Sequence, residues 1–562
     1  MNCLMTRVRE MLKPKLYLGL AGVLVAIAGV AIYAVGAATV QEIQGTSTEP
    51  RADVVTIDTV KLFEDLERPA VIFLHDLHTK ALEKKNKDCK TCHLEVKEPS
   101  SLAERKALSP KFKRLKDTNK QQVVDNYHTE CITCHKEIAD TGEKAGPIEL
   151  CGKCHPGQTK VLSSRQPMQM DRALHFRHIE ATKDKVKNED KCDRCHHEYD
   201  EINKKLYYAK EKEGSCGYCH KGETEKNRMS IRLASHLACV DCHRRELTKD
   251  PTLAQQKKIG PVQCAGCHDI KNQEKIEKIK DVPRIKRKQP DVVLLQADKK
   301  ALAEEKKNEL VLMDPVPFDH KAHEENNATC RVCHHESLDS CSEKCHTLDG
   351  LKDGDFIKLS QAMHQSKSDK SCLGCHDKRQ QEKECVGCHA SIEKSPKPKT
   401  PLCTTCHMKS MEDEKAIDGV KPEVIAEKLL KARTFMKDTY KAEDIPEEVV
   451  IKGLVDEYEA VKFPHRKIVQ TLVKNTKDSK LANYFHREKG TMCQGCHHNS
   501  PAAKKPPRCS SCHGKPFDEN NLFRPGLKGA YHQQCLGCHK KMNMEKPKPT
   551  DCKEACHKEK KK

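Results

Sequence analysis

The chain has 562 residues, a formal charge of +19, no Trp, 4% aromatic residues, and 36% hydrophobic against 33% charged residues. A chain of this length ordinarily divides into several domains, each around its own apolar core. This composition holds too little apolar side-chain material for that, which excludes conventional cores and calls for apolar surface from another source.

Taken in order, the chain opens with Arg7, Arg9, Lys13 and Lys15, followed by 23 uncharged residues from Leu16 to Ala38. A basic start before an apolar run is the pattern of an export signal, with small residues at Gly36–Ala38 suited to cleavage. The run is also long enough to cross a bilayer as a retained transmembrane anchor. Either reading of residues 1–40 places the rest of the chain outside the cytoplasm.

A short phrase then recurs sixteen times, fourteen times as Cys-x-x-Cys-His and twice as Cys-x-x-x-Cys-His. Residues 60–160 hold Cys89-Cys92-His93, Cys131-Cys134-His135 and Cys151-Cys154-His155, with His75, His78 and His128 besides. Residues 165–270 hold Cys192-Cys195-His196, Cys216-Cys219-His220, Cys239-Cys242-His243 and Cys264-Cys267-His268, with His175, His178, His197 and His236. A charged linker over 271–311, with a predicted helix at Ala301–Leu312, leads to the next block. Residues 312–392 hold Cys330-Cys333-His334, Cys341-Cys345-His346, Cys372-Cys375-His376 and Cys385-Cys388-His389, with His320, His323, His335 and His364. Residues 393–459 carry one isolated phrase, Cys403-Cys406-His407, and helical periodicity over Pro422–Thr439 and Glu447–Ala460. Pro422 suits the first turn of its helix. Residues 460–562 hold Cys493-Cys496-His497, Cys509-Cys512-His513, Cys535-Cys538-His539 and Cys552-Cys556-His557, with His465, His486, His498 and His532.

This phrase is the attachment signal of c-type haem. The two thiols bond to the haem vinyl groups, and the histidine reaches the iron. The phrases use 32 of the 33 cysteines and leave Cys3. Zinc knuckles and redox dithiols share a bare Cys-x-x-Cys, but neither requires the histidine that follows here every time. Sixteen of the 31 histidines stand in the phrases, so fifteen are spare. These can complete fifteen irons with histidine on both faces and leave one without. Sixteen haems leave about 35 residues each, so the porphyrins supply the missing apolar surface, and chain lacking them is expected to be unfolded. The basic excess then finds its partners in haem propionates and acidic surfaces rather than in nucleic acid.

Four phrases, an upstream His-x-x-His and a Cys-His-His first phrase resemble the class III tetrahaem cytochromes c of sulfate-reducing bacteria. Three blocks carry the pattern in full, and residues 60–160 form an abridged trihaem copy that lacks the Cys-His-His doublet. The order of phrases is similar to that of the sixteen-haem, high-molecular-weight cytochromes c built from such modules. One departure is the spacing: that family often uses Cys-x-x-x-x-Cys-His, and no gap here exceeds three residues. The resemblance implies a multihaem cytochrome c fold, mostly irregular with sparse α-helix, made of haem-cored tandem class III modules.

The resemblance also implies distal partners. His75 is expected to pair with His93, His78 with His135 and His128 with His155. In the next block His175 goes with His196, His178 with His243, His197 with His220 and His236 with His268. His320 goes with His334, His323 with His376, His335 with His346 and His364 with His389. In the last block His465 goes with His497, His486 with His539, His498 with His513 and His532 with His557, which leaves His407 alone. The function implied is periplasmic electron transfer in sulfate respiration. Electrons would arrive from a periplasmic hydrogenase through a small tetrahaem cytochrome and leave to a membrane-bound redox complex. The alternative is a multihaem reductase acting on a small oxyanion at the His407 haem.

Overall fold

The computed structural model describes residues 49–97, 106–110, 117–157, 161–225, 228–256, 258–279, 281–296, 313–390, 400–409, 419–434, 440–452, 458–514 and 524–560. The N-terminal apolar run and the expected helix Ala301–Leu312 lie outside these residues. The chain forms two compact units, one ending at Pro283 and one beginning at Arg284. No helix among the described residues is long and apolar enough to cross a membrane.

Short helices joined by irregular segments make up both units, and the sheets are two-stranded antiparallel pairs. Three of these hairpins share one task. Val54–Ile57 pairs with Val71–Leu74, Val293–Leu295 with Val316–Phe318, and Val449–Ile451 with Val461–Phe463. Each second strand leads, with at most one residue between, into a helix that opens on a histidine: His75–Glu83, His320–Glu325 or His465–Asp478. Branched and aromatic residues favour the pleated pairing, and the strand end thus fixes where that histidine starts. The second block reaches the same result with a cap: Asp171 accepts from the Leu174 amide at 2.8 Å and starts the helix Arg172–Thr182.

Two expectations are corrected. The helix beginning at Pro422 ends at Lys431, not at Thr439, because Arg433 leaves the helical path and donates to the carbonyl of Pro317 at 2.6 Å. Residues 447–460 contain no described helix: Val449–Ile451 is a strand, held by a partner ten residues further on that local periodicity cannot reveal.

Apolar burial is thin. Among the described residues the buried hydrophobic side chains are Ala52, Val54, Val123, Leu294, Ala322, Val386, Ala426, Leu429 and Ile445. Leu294, Ala426 and Leu429 cluster, joined by Val292, Met408 and Ile425, where the helix Pro422–Lys431 covers a hairpin. The rest are scattered, so side chains alone build no extended core.

Candidate metal centres

The Cys-x-x-Cys-His phrase closes on itself in a single turn. The histidine amide donates to the first cysteine's carbonyl at 2.8 Å in the phrases of His155, His220 and His497. In those of His196, His334 and His407 the distance is 2.9 Å. The two longer phrases absorb their additional residue in π turns, Cys341–Cys345 and Cys552–Cys556. They close the same ring, His346 to Cys341 at 2.7 Å and His557 to Cys552 at 2.8 Å. A π turn is the usual way to insert one residue without ending a helical segment, so a wider gap keeps the same relation between thiols and histidine.

These phrases are not zinc ligand sets. Zinc needs four ligands converging on one point. Among the described residues the one converging group of three or more His, Cys, Asp or Glu side chains is His75, Asp76 and Cys264, and no phrase gathers such a set by itself.

The histidines instead face one another across a fixed gap. A metal–nitrogen bond of about 2.0–2.1 Å on each side places two opposed imidazole centres about 6.2–6.6 Å apart. In the first unit the centres lie 6.3 Å apart for His75 and His93, 6.3 Å for His78 and His135, and 6.4 Å for His128 and His155. They lie 6.0 Å apart for His175 and His196, 6.1 Å for His178 and His243, 6.0 Å for His197 and His220, and 6.1 Å for His236 and His268. In the second unit the values are 6.2 Å for His320 and His334, 6.4 Å for His323 and His376, and 6.1 Å for His335 and His346. His465 faces His497 at 6.3 Å, His498 faces His513 at 5.9 Å, and His532 faces His557 at 6.0 Å. These thirteen are the partners the sequence leads one to expect.

Two partners differ, and the isolated histidine changes with them. His364 faces His407 at 5.9 Å instead of His389, and His389 faces His486 at 6.0 Å. His539, expected opposite His486, is the one histidine with no facing ring among the described residues. The cause is the insert between His465 and His486. It places His486 after a separate helix, Lys480–Phe485, that lies against the preceding block. Tyr484 there donates to the Thr405 carbonyl at 2.5 Å, and Phe485 meets the His376 ring edge-on at 5.3 Å. His486 thus crosses to His389, and His364 is left for His407. A reductase site at His407 loses its premise, since that histidine has a partner.

The remaining nitrogens support ligation through Nε2. Nδ1–H donates to a backbone carbonyl in His135 (Pro147, 3.0 Å), His155 (Pro69, 2.7 Å), His268 (Gln166, 2.8 Å) and His407 (Asp314, 2.6 Å). On the opposing side the same is true of His78 (Leu74, 2.8 Å), His178 (Leu174, 2.7 Å), His323 (Asp319, 2.7 Å) and His486 (Ala482, 2.7 Å). Such a bond fixes the tautomer and leaves the Nε2 lone pair for a metal. Burial pushes His78, His93, His243, His323 and His376 below the ordinary imidazole value, toward the neutral form that ligates. The residues present therefore fit haem held by two thiols and an imidazole pair.

Asp76, which the motif pattern does not single out, joins the first two blocks. Its oxygens accept from the amides of Cys264 at 2.8 Å and Ala265 at 2.7 Å. Its own amide donates to Asp53 at 3.1 Å, and Arg51 holds Asp53 at 2.8 and 2.9 Å. Burial alone would raise the Asp76 carboxyl, but hydrogen bonds from His75, Ala265 and Cys264 outweigh it and hold it at about 2. A carboxyl held below its unfolded value stabilises the fold above about pH 4 and loses that contribution as pH falls toward 2. Asp76→Asn is expected to cost about 2 kcal/mol at neutral pH and to flatten the acid limb of stability. Thermal melts of the haem-loaded protein across pH check this; an unchanged acid limb would remove Asp76 from the role.

The class III cytochrome C family matches residues 52–155, 157–268, 296–407 and 458–557. The high-molecular-weight cytochrome c of Nitratidesulfovibrio vulgaris (strain Hildenborough) is 42% identical over 524 residues, 91% of this chain and 92% of that one. The crystal structure of the sixteen-heme cytochrome from Desulfovibrio gigas superposes with a TM-score of 0.76 at 38% identity, covering 91% of this chain and 100% of that one. The high-molecular-weight cytochrome c from Desulfovibrio vulgaris (Miyazaki F), crystallised in the presence of zinc ion, gives a TM-score of 0.69 at 42% identity, covering 92% and 99%.

Proposed function

The chain belongs to the class III cytochrome c family as a multihaem, haem c-binding protein of the electron-transfer type, and from that premise we propose that it carries electrons in the periplasm during anaerobic sulfate respiration. Its donor would be a periplasmic hydrogenase acting through a tetrahaem class III cytochrome, and its acceptor a membrane-bound redox complex. Residues 16–38 would deliver the chain to that compartment and, if retained, hold it at the membrane.

The observation that carries this reading is the fifteen facing histidine pairs. We assign sixteen haem c groups, fifteen with histidine on both faces and one, at His539, with histidine on one face. Haem c supplies reversible one-electron chemistry at its iron. The paired histidines would hold the iron of each group from two sides, which would exclude substrate from the metal and leave a change of charge as the sole event there. Each cysteine pair would hold its group covalently, and each Nδ1–H bond to a carbonyl fixes the plane of its imidazole. Two histidines, rather than histidine and methionine, favour low potentials.

Purified protein is expected to carry sixteen covalent additions and to be reduced rapidly by a tetrahaem cytochrome charged with hydrogenase and hydrogen. A mass short of those additions, or no reduction by that couple, would overturn the carrier reading. With two ionised propionates per ferric haem, the loaded chain runs from about +3 oxidised to about −13 reduced, starting from the polypeptide's +19. Added negative charge raises nearby carboxyl pKa values, so reduction takes up protons. Midpoint potentials are expected to fall as pH rises; potentiometric titration at several pH values measures this, and flat potentials would contradict it.

A further inference from the structure

Two imidazoles of the first unit press against the backbone of a glycine. A Cβ at Gly146 would stand 2.3 Å from the His135 Cε1 and 2.6 Å from its Nε2, the ligating atom. A Cβ at Gly260 would stand 2.3 Å from the His243 Cε1 and 3.1 Å from its Nε2. In both places a proline follows, and its carbonyl accepts from the same ring: Pro147 from the His135 Nδ1–H at 3.0 Å, Pro261 from that of His243 at 3.2 Å. Proline fixes its own φ, so few torsions remain to misdirect that carbonyl. The connecting segments differ, with the proline 12 residues after the histidine in one repeat and 18 in the other, yet the contact is the same. In the second repeat it is also wedged from behind, since a Cβ at Gly266, within the next phrase, would stand 2.4 Å from the Pro261 Cβ. The two rings face His78 and His178 with interplanar angles of 25° and 20°. The other five facing pairs of the first unit are crossed at 58–89°.

We infer that Gly146-Pro147 and Gly260-Pro261 are imidazole seats, positioning residues that hold the rings of His135 and His243 nearly parallel to their partners and lower the midpoint potentials of those two centres. The inference rests on the electron-carrier reading above. Glycine lets the backbone come up to the ring, and the proline carbonyl fixes the tautomer and makes the imidazole a stronger donor. A stronger donor stabilises the oxidised iron more than the reduced one. The opposing rings are pinned as well, His78 to the Leu74 carbonyl and His178 to that of Leu174. A methyl group added at either glycine therefore forces one ring to turn while its partner stays, and the turn breaks the Nδ1–H bond. No Gly-Pro stands between His376 and Cys385 or between His539 and Cys552, so the device belongs to the first two repeats.

The test uses the haem-loaded full-length protein and redox titration followed by EPR. Nearly parallel imidazoles on a low-spin ferric iron give a rhombic signal, and crossed ones a strongly anisotropic signal with one large g value. The His135 and His243 signals are identified as the low-spin signals that His78→Ala and His178→Ala convert to high spin. In the unaltered protein both must be rhombic. Gly146→Ala and Gly260→Ala are each expected to drive one of them toward the anisotropic type and to raise its midpoint. The His376 signal, whose planes lie at 27° without such a dipeptide, should be unchanged. Gly266→Ala reaches the His243 ring only through Pro261 and should move that signal in the same direction. Gly222→Ala, where a Cβ would meet nothing within 4 Å, should move neither. Anisotropic signals at the outset overturn the seats, and a signal that keeps its shape or its midpoint in its own alanine variant overturns that seat. Failure of all signals to reduce would instead overturn the carrier reading. If a variant lacks haem by mass, the signal types of the unaltered protein and the Gly266→Ala shift still decide.

Discussion

His486→Ala is expected to convert a second iron to high spin, raising the high-spin share from one centre in sixteen to two. His486 faces His389 across 6.0 Å. The original high-spin signal is expected to survive that change and also to survive His407→Ala, because His364 faces His407 and the unpaired position belongs to His539. His539→Ala should remove it. EPR of the oxidised protein reads all four samples. Loss of the native high-spin signal in His407→Ala, with its retention in His539→Ala, would reverse the assignment. His486→Ala should also loosen the contacts of Tyr484 and Phe485 with the preceding block. The third and fourth repeats would then melt in two transitions where the unaltered pair melts in one.

Chain produced without haem attachment is expected to have little helix and no cooperative melt. Ten buried apolar side chains among the described residues, Pro317 included, cannot offset the ordering of several hundred residues at about 1–2 kcal/mol each. The thioether bonds and paired histidines act as staples in place of a core. Far-UV circular dichroism of that chain, beside the loaded protein, measures the difference. A native-like cooperative transition in the unloaded chain would show that the polypeptide holds the fold by itself.

The centres are legible in the sequence to the extent that their chemistry demands fixed residue types at fixed spacing. Haem attachment needs two thiols and a histidine within five or six residues, and a second histidine is the other axial ligand a low-potential iron uses. Thirteen of fifteen expected histidine partners therefore face one another. The two exchanges around His364, His389 and His486 come from one source, the insert after His465, whose direction depends on where Tyr484 and Phe485 find contacts. Contacts of that kind lie far apart in the chain. Tyr484 reaches Thr405 over 79 residues and Asp76 reaches Cys264 over 188, and no local pattern announces either. The same limit explains Val449–Ile451, where helical periodicity is overruled by a neighbouring strand. The longer phrases at Cys341 and Cys552 are legible as haem signals, whereas the π turns that accommodate them emerge from the backbone.

The crossing of His486 into the preceding repeat sets a lower bound on what can be cut out or exchanged. A fragment stopping at residue 407 would keep the cysteines for the His389 centre while discarding its second imidazole. In the C-terminal half the smallest transferable cassette is therefore a pair of repeats. Gene rearrangements that part the third repeat from the fourth would break the His389 site, whereas duplication or loss of the whole pair would leave it intact.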